Sequence, residues 1–450
     1  MIKNIKYLVF FLVLFLTSNC SFNNTAGIWT GGEDEKRRIS ELERQQKRIL
    51  DVVKIYSSEI FYSEEIAATQ NVALSAPKKN QSWQMSGFNQ QNFLGNIYLT
   101  GINDKFLSKK IGKDKFSISR QISSPITFND NIYFSDDTGS IFKISKRGKV
   151  QWKINIYKKI YKKIYKTLTF GIYKNHIYIA DNIGFVYSVN LDNGKIVWIK
   201  NHGVPLKSKI KIFDEKIFLI NQDNRILCFS AKDGTKLWDT RAIKSFIKSQ
   251  HLLSLAISKD GYLLSLDSSG NLLKSEISRG KVFWSLNISA LGDIHESDFF
   301  KSSDVVIADE DIIFATSSAV FSYNLQNGYL NWKVEIDSKN TPIVDGNNIF
   351  VVSDHGYFVN LDRNSGKINW STNILKTLKK RKRQTYITGF ILGSDKIYAT
   401  TSNGFLIVSS ATSGKVDGIK KIGDPIATTP IISNGSLYIL TENSRIIGFN

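Results

Sequence analysis

The residues that could do chemistry are few and lie far apart. The chain has two cysteines, Cys20 and Cys228, so it can form neither a metal-binding cysteine cluster nor a pair of adjacent cysteines. Its five histidines are scattered singly along the chain: His176, His202, His251, His295 and His355. No Ser/His/Asp motif and no glycine-rich phosphate loop is present, which argues against hydrolase and nucleotide chemistry. We expect no catalytic residue, no metal and no cofactor, and we expect Cys228 to be a buried free thiol.

The charge of the chain is strongly basic, with a formal net charge of +20. Such a balance can indicate nucleic acid, anionic lipid or an acidic partner. Because the lysines are spread over the whole sequence, a general lysine bias is the favoured explanation, and we expect no nucleic-acid partner. The densest run, residues 379–383 (Lys-Lys-Arg-Lys-Arg), predicts a solvated loop between two repeats, with contact to anionic headgroups as the alternative.

The N-terminus has the pattern of a secretion signal. Lys3 and Lys6 precede an apolar run over residues 7–16, which is too short to span a bilayer. Small and polar residues then lead to Cys20, an order similar to that of a lipoprotein signal, in which the cysteine is acylated and becomes the new N-terminus. By resemblance to enterobacterial lipoproteins, Ser21 after the cysteine implies sorting to the outer membrane. An ordinary signal peptide with an incidental cysteine is the alternative.

Tryptophans reveal an internal repeat, and they therefore decide the fold prediction. Six of them recur at intervals of 38–48 residues, each with a glycine four positions upstream: Trp152, Trp198, Trp238, Trp284, Trp332 and Trp370. A seventh copy keeps the turn glycine, Gly414, but has Gly418 in the tryptophan position. Four short strands per unit of this length are typical of a propeller blade. A tryptophan at a fixed place on the last strand can wedge between blades, so we interpret all six as structural.

The repeat count predicts an all-β, eight-bladed β-propeller with four-stranded antiparallel blades. The last unit supplies only three strands, so a strand from residues 94–120 must complete it and remove both exposed edges. The predicted organisation is a lipoprotein signal peptide at 1–20, a linker at 21–82 and the propeller at 83–450. The linker contains a short amphipathic helix at about 33–56, either packed on the propeller, serving as a spacer, or binding a partner.

The repeat resembles that of the PQQ-like propeller superfamily. Residues 83–92, which begin with Trp83 and end with Asn92, resemble the opening of two groups within it. One is the BamB family of outer-membrane assembly lipoproteins, and the other is the PQQ-dependent dehydrogenases. The signal, the single propeller and the length fit the BamB family better. That resemblance implies a non-catalytic scaffold, anchored by lipid to the periplasmic face of the outer membrane. It would bind the periplasmic domains of the barrel-forming assembly subunit and take no small-molecule substrate.

The resemblance also implies a contact region between the third and fourth blades. The corresponding residues here are Phe246, Ile247 and Lys248, with Asp298 and Asp304 as loose counterparts of an acidic pair. Ordinary strand core is the alternative for the two apolar residues. Two other functions stay open: a propeller that binds a different envelope partner, or a PQQ-dependent dehydrogenase. The dehydrogenase would need a calcium site, a general-base aspartate and, in alcohol oxidisers, adjacent cysteines.

Overall fold

The computed structural model describes residues 37, 40, 41, 44, 62–68, 72–116, 123–240, 252–289, 300–378 and 385–450. Two compact units divide the chain, Met1–Ile60 and Phe61–Asn450. In the first unit the described residues Arg37, Ser40, Glu41 and Arg44 are helical and exposed. The rest of the helix predicted at about 33–56, and the signal at 1–20 with Cys20, lie outside the described residues. Within the described part, no helix is long and apolar enough to cross a membrane.

The second unit contains eight four-stranded antiparallel sheets, numbered here as blades 1 to 8 in chain order. The first strand of the unit is β1 (Leu107–Lys110). Blade 1 has β2 (Ile126–Phe128), β3 (Asn131–Ser135), β4 (Ile141–Ser145) and β5 (Val150–Ile154). Blade 2 has β6 (Leu168–Tyr173), β7 (His176–Asp181), β8 (Phe185–Asn190) and β9 (Ile196–Asn201). Blade 3 has β10 (Lys211–Phe213), β11 (Lys216–Ile220), β12 (Ile226–Ser230) and β13 (Lys236–Asp239).

The next three blades repeat the same order of strands. Blade 4 has β14 (Ser254–Ile257), β15 (Tyr262–Leu266), β16 (Asn271–Glu276) and β17 (Val282–Asn287). Blade 5 has β18 (Val306–Ala308), β19 (Asp311–Ala315), β20 (Val320–Asn324) and β21 (Leu330–Val334). Blade 6 has β22 (Ile343–Asp345), β23 (Asn348–Val352), β24 (Tyr357–Asp362) and β25 (Ile368–Asn373).

The last two blades complete the ring. Blade 7 has β26 (Ile387–Gly393), β27 (Lys396–Thr401), β28 (Phe405–Ser410) and β29 (Val416–Lys421). Blade 8 has β30 (Ile431–Ser433), β31 (Ser436–Leu440) and β32 (Arg445–Phe449), with β1 as its fourth strand. Between the blades, the described segments include the 3₁₀ helices Lys159–Tyr161 and Ile374–Thr377. This confirms the predicted eight-bladed all-β propeller.

An N-terminal strand closes the ring, as predicted. Strand β1 pairs antiparallel with β32, with Leu107 opposite Gly448 and Lys110 opposite Arg445. Blade 8 is therefore built from N-terminal and C-terminal parts of the propeller sequence. Its third strand, β32, finds its outer partner in β1. Because β1 directly precedes blade 1 in the chain, its pairing with β32 joins the last blade to the first.

Each seam between blades 1 and 7 is formed by a tryptophan and a glycine. The indole on the fourth strand of one blade packs on the turn before the fourth strand of the next. A Cβ on that turn residue would stand 2.5–3.2 Å from the indole, so only glycine fits. The backbone there also has φ of +70° to +73°, which favours glycine. The pairs are Trp152–Gly194, Trp198–Gly234, Trp238–Gly280, Trp284–Gly328, Trp332–Gly366 and Trp370–Gly414.

Four of the six indoles also donate a hydrogen bond across the seam. Trp152 Nε1 donates to the carbonyl oxygen of Leu191 at 3.0 Å, and Trp332 Nε1 donates to that of Arg363 at 2.7 Å. Trp198 and Trp238 make the same bond to the following blade at 3.1 and 3.2 Å. The seam therefore combines apolar burial with a directional contact that sets the spacing of neighbouring blades.

The missing seventh tryptophan has a structural reason. In blade 8 the third and fourth strands belong to distant parts of the chain, so the turn that would receive an indole does not exist. Gly418 accordingly has nothing within 4 Å of the position of a Cβ. At the next seam the turn glycine of blade 1, Gly148, meets Leu107 of the closing strand instead. Leu107 thus stands where the other blades have tryptophan.

The propeller has two faces of different make-up. On one, which we call the connection face, each blade's fourth strand leads into the first strand of the next blade, and each second strand turns into the third. On the other, the hairpin face, the first strand turns into the second and the third into the fourth. The glycine turns of the seams lie on the hairpin face.

Candidate functional site

The end of the central channel toward the hairpin face is covered by residues 83–100, which we call the belt. The belt follows the ring once and bonds the inner strands or turns of the blades in order. Near its start Trp83 N donates to Thr127 O at 3.0 Å, and near its end Thr100 N donates to Gly435 O at 3.0 Å. From blade 1 to blade 8 its partners include Thr127, Phe170, Ile212, Ile257, Ile307, Asp345, Leu392 and Gly435.

Residues just before the belt also lie along the propeller. Tyr62 N donates to Asp337 Oδ1 at 3.1 Å, and Ile66 forms a bridge with Ser371 in blade 6. Ser75 N donates to Asp345 Oδ2 at 2.8 Å. The last part of the linker predicted at 21–82 is therefore bound to the blades in the regions described, 62–68 and 72–82.

Lys211 anchors the belt to blade 3. It begins the first strand of blade 3, and it is fully buried. Its Nζ donates to Ser86 O at 3.1 Å, to Asn89 O at 2.7 Å and to Asn92 Oδ1 at 2.5 Å. Burial lowers the pKa of Lys211 to about 7. Three oxygen acceptors around one ammonium make this lysine the main polar anchor of the belt.

Asn92 is the second anchor, and it joins two blades. Its Nδ2 donates to Leu255 O in blade 4 at 2.9 Å and to Val305 O beside blade 5 at 2.8 Å, while its oxygen accepts from Lys211. Gly87 lies against it with φ of +83°, and a Cβ at that position would be 2.2 Å from Asn92 Oδ1. In the sequence landmark, Gly87 is therefore placed so that the Asn92 side chain can pack against it and join blades 4 and 5.

A cavity of about 160 Å³ lies on the side of the belt toward the connection face. Belt residues form its floor: Trp83, Ser86, Gly87, Asn92 and Leu94. Its other lining residues lie at or just before the starts of the first strands, so the cavity faces the connection face. They include Ser123, Ser124, Lys209, Leu252, Asp304, Asn340, Thr341, Thr388, Gly389, Phe390, Ala427, Thr428, Thr429 and Ile431.

One ion pair lies in the cavity wall. Lys209 Nζ is 2.5 Å from Asp304 Oδ2, which also accepts from Thr341 Oγ1 at 3.2 Å. The Asp304 side chain is only 11% exposed. Burial opposes ionisation of this carboxyl, but the charges of Lys209 and Lys211 and the two hydrogen bonds outweigh it and lower its pKa. Asp304 is therefore an ionised carboxylate that pairs with Lys209 and is also stabilised by the charge of Lys211.

The hydroxyls of the wall donate their protons away from the cavity. Ser124 Oγ donates to Thr429 O at 3.0 Å, Thr428 Oγ1 donates to Leu440 O at 2.9 Å, and Thr388 Oγ1 donates to Thr400 Oγ1 at 3.0 Å. These groups keep only acceptor lone pairs for the cavity. In the floor, Ser86 Oγ is buried and has no partner among the described residues.

The donor set does not fit pyrroloquinoline quinone with its calcium ion. Asp304 is the one carboxylate among the described lining residues, and it is already bonded to Lys209 and Thr341. No group of three His, Cys, Asp or Glu side chains in the described part of the chain could hold a metal.

Burial raises the pKa of the Cys228 thiol to about 12, which keeps it protonated and inert.

The residues proposed for partner contact fall in different places. Phe246, Ile247, Lys248 and Asp298 lie outside the described residues. Asp304, by contrast, is buried in the cavity wall rather than exposed in a connection. A partner could contact its carboxylate only by entering the cavity. Contact by any of these residues stays a prediction.

Lys209, Lys211 and Asn92 were not singled out as functional from the sequence, although a signal was present. Lysines 207, 209 and 211 alternate with other residues at the position where the repeat predicts an apolar first strand. A cation at a core position of a strand indicates a buried polar partner, because an unpaired buried charge costs too much free energy. The belt itself was noticed only as the family landmark at residues 83–92.

Replacing Asp304 by asparagine is expected to lower the free energy of unfolding at pH 7 by about 2 kcal/mol, because Lys209 loses its partner. The folded-state pKa of Asp304 is below the unfolded value of about 3.9, so the pair stabilises fully above that pH. Its contribution is lost as the pH falls through the folded pKa. Urea unfolding midpoints at several pH values between about 2 and about 6 would measure this, because that range includes the unfolded pKa and the lower folded pKa. Equal acid sensitivity of the wild type and the variant would contradict it, and Thr341→Val serves as the mild control.

Comparison with known families and structures identifies the family and the fold of the chain. The family model described as outer membrane protein assembly factor BamB matches residues 137–372, more than half of the chain. The BamB of Burkholderia pseudomallei is 23% identical over 341 residues, covering 72% of this chain and 83% of that protein.

Two solved structures share the fold at low identity. The crystal structure of BamB from Moraxella catarrhalis superposes with a TM-score of 0.64 at 13% identity, covering 77% of this chain and 99% of that one. The quinohemoprotein alcohol dehydrogenase ADHIIG from Pseudomonas putida HK5 gives 0.63 at 10% identity, covering 86% and 83%. At these identities the superpositions establish the fold and nothing beyond it.

Proposed function

Because this chain belongs to the BamB family of outer membrane protein assembly factors, we propose that it is a non-catalytic scaffold of the outer-membrane β-barrel assembly machinery. The observation that carries the proposal is the family match over residues 137–372, which spans the last two strands of blade 1, all of blades 2 to 5 and nearly all of blade 6. The cavity supports it, since its one carboxylate is engaged by lysine and its donors do not suit a quinone cofactor.

We further propose that the partner is the barrel-forming subunit, bound through its periplasmic domains. The connections between blades 3 and 4 and between blades 4 and 5 carry Phe246, Ile247, Lys248 and Asp298. The described strands on either side of these connections, β13 and β14, then β17 and β18, place their ends on the connection face. Two apolar residues followed by a cation offer a hydrophobic contact with a charge at its rim, which is a usual make-up of a protein interface.

We propose a location at the periplasmic face of the outer membrane, with a lipid anchor on Cys20. The signal-like N-terminus and the single cysteine that follows it support the anchor. Metabolic labelling with a radioactive fatty acid tests this directly: the wild type should incorporate label, and Cys20→Ser should not. Equal labelling of both would exclude Cys20 as the acylated residue.

The partner is tested by a pull-down of the tagged full chain from solubilised envelope of its own cells. The wild type should recover the barrel-forming subunit. The pair Phe246→Ala with Lys248→Glu should reduce that recovery by roughly tenfold or more, as expected for loss of a contact worth about 1.4 kcal/mol or more. A matched control is Val197→Ala with Lys195→Glu, which has the same spacing and chemistry on exposed residues of blade 2.

Each result of the pull-down has a definite meaning. Failure of the wild type to recover the barrel-forming subunit would overturn the proposed function and favour another envelope partner. Equal recovery by both variants would show that the wrong connection was chosen. Reduction of an artificial dye by the protein, dependent on added pyrroloquinoline quinone and Ca²⁺, would instead establish the dehydrogenase alternative.

A further inference from the structure

The connection from blade 1 to blade 2 has an unusual composition. Residues 156–166 repeat the order Ile-Tyr-Lys three times, with an extra lysine after the first and second copies. We call this segment the basic loop; it contains the 3₁₀ helix Lys159–Tyr161. Two of its three isoleucines are unusually exposed, Ile160 at 77% and Ile164 at 45%. The four lysines around them are also exposed: Lys158, Lys159, Lys162 and Lys163.

The tyrosines explain why these side chains face outward. Tyr157 Oη donates to the buried carboxylate of Asp181 at 2.5 Å, and the Tyr161 ring meets the Phe185 ring edge-on at 5.7 Å between centroids. Tyr165 packs edge-on against Phe116 at 6.2 Å. With these tyrosines held against the propeller, Ile160, Ile164 and the four exposed lysines lie on the outer side of the loop, whereas Ile156 packs against the core and Lys166 is buried.

The outer side of the basic loop has a positive charge that no described ion pair neutralises. None of its four exposed lysines forms an ion pair with a described residue. Two carboxylates near the loop are engaged elsewhere: Asp181 by Tyr157, and Asp137 by the backbone N–H groups of Lys115 and Phe116. Isolated exposed aliphatic side chains among unpaired lysines therefore form a convex, cationic tip.

This chemistry suits a membrane surface better than a protein surface. Lysine is depleted at protein interfaces, where tyrosine, tryptophan and arginine prevail. At a bilayer surface, aliphatic side chains enter the headgroup region while lysines extend their ammonium groups to the phosphates. Clustered lysines are attracted by anionic lipid, and a protruding tip can enter a soft surface without a matching groove.

We propose that the basic loop docks on an anionic lipid surface, with Ile160 and Ile164 entering the headgroup layer and the four lysines binding phosphate groups. The contact is independent of the proposed assembly function. It gives the connection face of blade 2 an orientation toward the membrane, whichever protein the scaffold binds. The strong positive charge of the chain thereby has one localised role.

Vesicle binding of the full chain tests the proposal. Cys20→Ser is used in all samples so that acylation does not mask the contact, and vesicles are phosphatidylcholine alone or with about 30% phosphatidylglycerol, a fraction chosen to give a negative surface potential. The loop variant changes Lys158, Lys159, Lys162 and Lys163 to glutamine. A matched control neutralises four exposed lysines that each follow a turn glycine on the hairpin face: Lys149, Lys195, Lys281 and Lys367.

The loop variant is expected to lose roughly a hundredfold or more of its partition onto the anionic vesicles, at roughly fivefold for each lysine. The control should lose less than about tenfold, because its lysines face away from the surface. Ile160→Ser with Ile164→Ser should weaken binding but keep its dependence on phosphatidylglycerol. Since all these side chains are exposed, the variants should melt at the wild-type temperature.

Three outcomes would overturn the proposal. The wild type could bind both kinds of vesicle equally, which would leave no anionic contact to assign. The two lysine variants could lose binding equally, which would mean that net charge alone matters. The loop variant could keep its vesicle binding yet fail to recover an acidic envelope protein, which would assign the basic loop to a protein partner.

Discussion

Replacing Trp370 by alanine is expected to lower the free energy of unfolding of the propeller by about 4 kcal/mol. The indole is fully buried between blades 6 and 7, where it contacts the rings of Phe358 and Phe350 at 5.0 and 6.3 Å between centroids. It also covers Gly414 of the next blade. Its Nε1 has no hydrogen-bond partner among the described residues, so the loss is almost entirely one of packing. Urea unfolding followed by circular dichroism measures it.

Trp152→Ala is the matched control for this prediction. Trp152 occupies the same position on its blade, but it is partly exposed and its indole donates to Leu191 O. Its removal should cost less, about 2–3 kcal/mol, because less apolar surface leaves the interior. Equal losses for both tryptophans would contradict the view that burial in the seam sets the cost.

A double-mutant cycle with Gly414 tests the contact itself. A Cβ at Gly414 would lie 2.5 Å from the Trp370 ring, so Gly414→Ala should be strongly destabilising beside tryptophan. Beside alanine at position 370, the clash with the indole is absent, while the strain of φ at +70° and the close approach to Thr372 Oγ1 at 2.9 Å remain. The two changes should therefore couple by about 1 kcal/mol or more, and strict additivity would show that the seam contact is absent.

Replacing Lys211 by methionine is expected to lower the free energy of unfolding by about 3 kcal/mol, because buried acceptors of the belt lose their donor. Methionine fills a similar volume, so the change isolates the ammonium. The belt should also open more easily. Limited proteolysis of the folded protein should then cut within residues 83–100 at a higher rate. Unfolding by urea and mapping of the cut sites measure the two effects.

The matched control is Lys209→Met, two residues earlier in the same inner strand region. Lys209 lies in the cavity wall with a side chain 29% exposed, and it does not bond the belt. Its loss should lower stability but leave the rate of belt cleavage unchanged. Faster cleavage in both variants, or in neither, would contradict the role of Lys211 as the anchor.

The pH dependence of stability separates Lys211 from a merely space-filling residue. Burial lowers its folded-state pKa to about 7, whereas an unfolded lysine has a pKa of about 10.4. Between these values the unfolded chain binds more protons, so this residue makes stability rise with pH across that window. The methionine variant should lack that rise when urea midpoints are compared between pH 7 and 9 (roughly the lower half of the window). Parallel pH profiles would contradict the lowered pKa.

Much of the fold follows from local patterns. A glycine four residues before a tryptophan predicts a tight turn and a seam residue, because only glycine accepts the positive φ and the close indole. Counting these units, and noticing that the last has three strands, predicts eight blades and closure by an N-terminal strand. The absence of tryptophan at position 418 was visible as well, but its reason was not.

The candidate site depends on contacts that local patterns do not contain. Asp304 was predicted as a loose counterpart of an interface acid, yet its carboxylate pairs with Lys209 in the cavity wall and is stabilised by the charge of the buried Lys211. These lysines lie more than 90 residues away in the chain. The basic loop was present in the sequence, but its outward isoleucines are known only from where Tyr157, Tyr161 and Tyr165 are held.

Local patterns in the sequence predict the architecture of this protein: the repeat, the number of blades and the mode of closure. The cover that residues 83–100 form over one end of the channel, the buried lysine that anchors it and the cationic loop on the connection face follow from contacts between distant residues. The difference lies in the range of the interactions. Turn geometry and strand alternation act between near neighbours, whereas the belt and cavity are made by residues that only ring closure brings together.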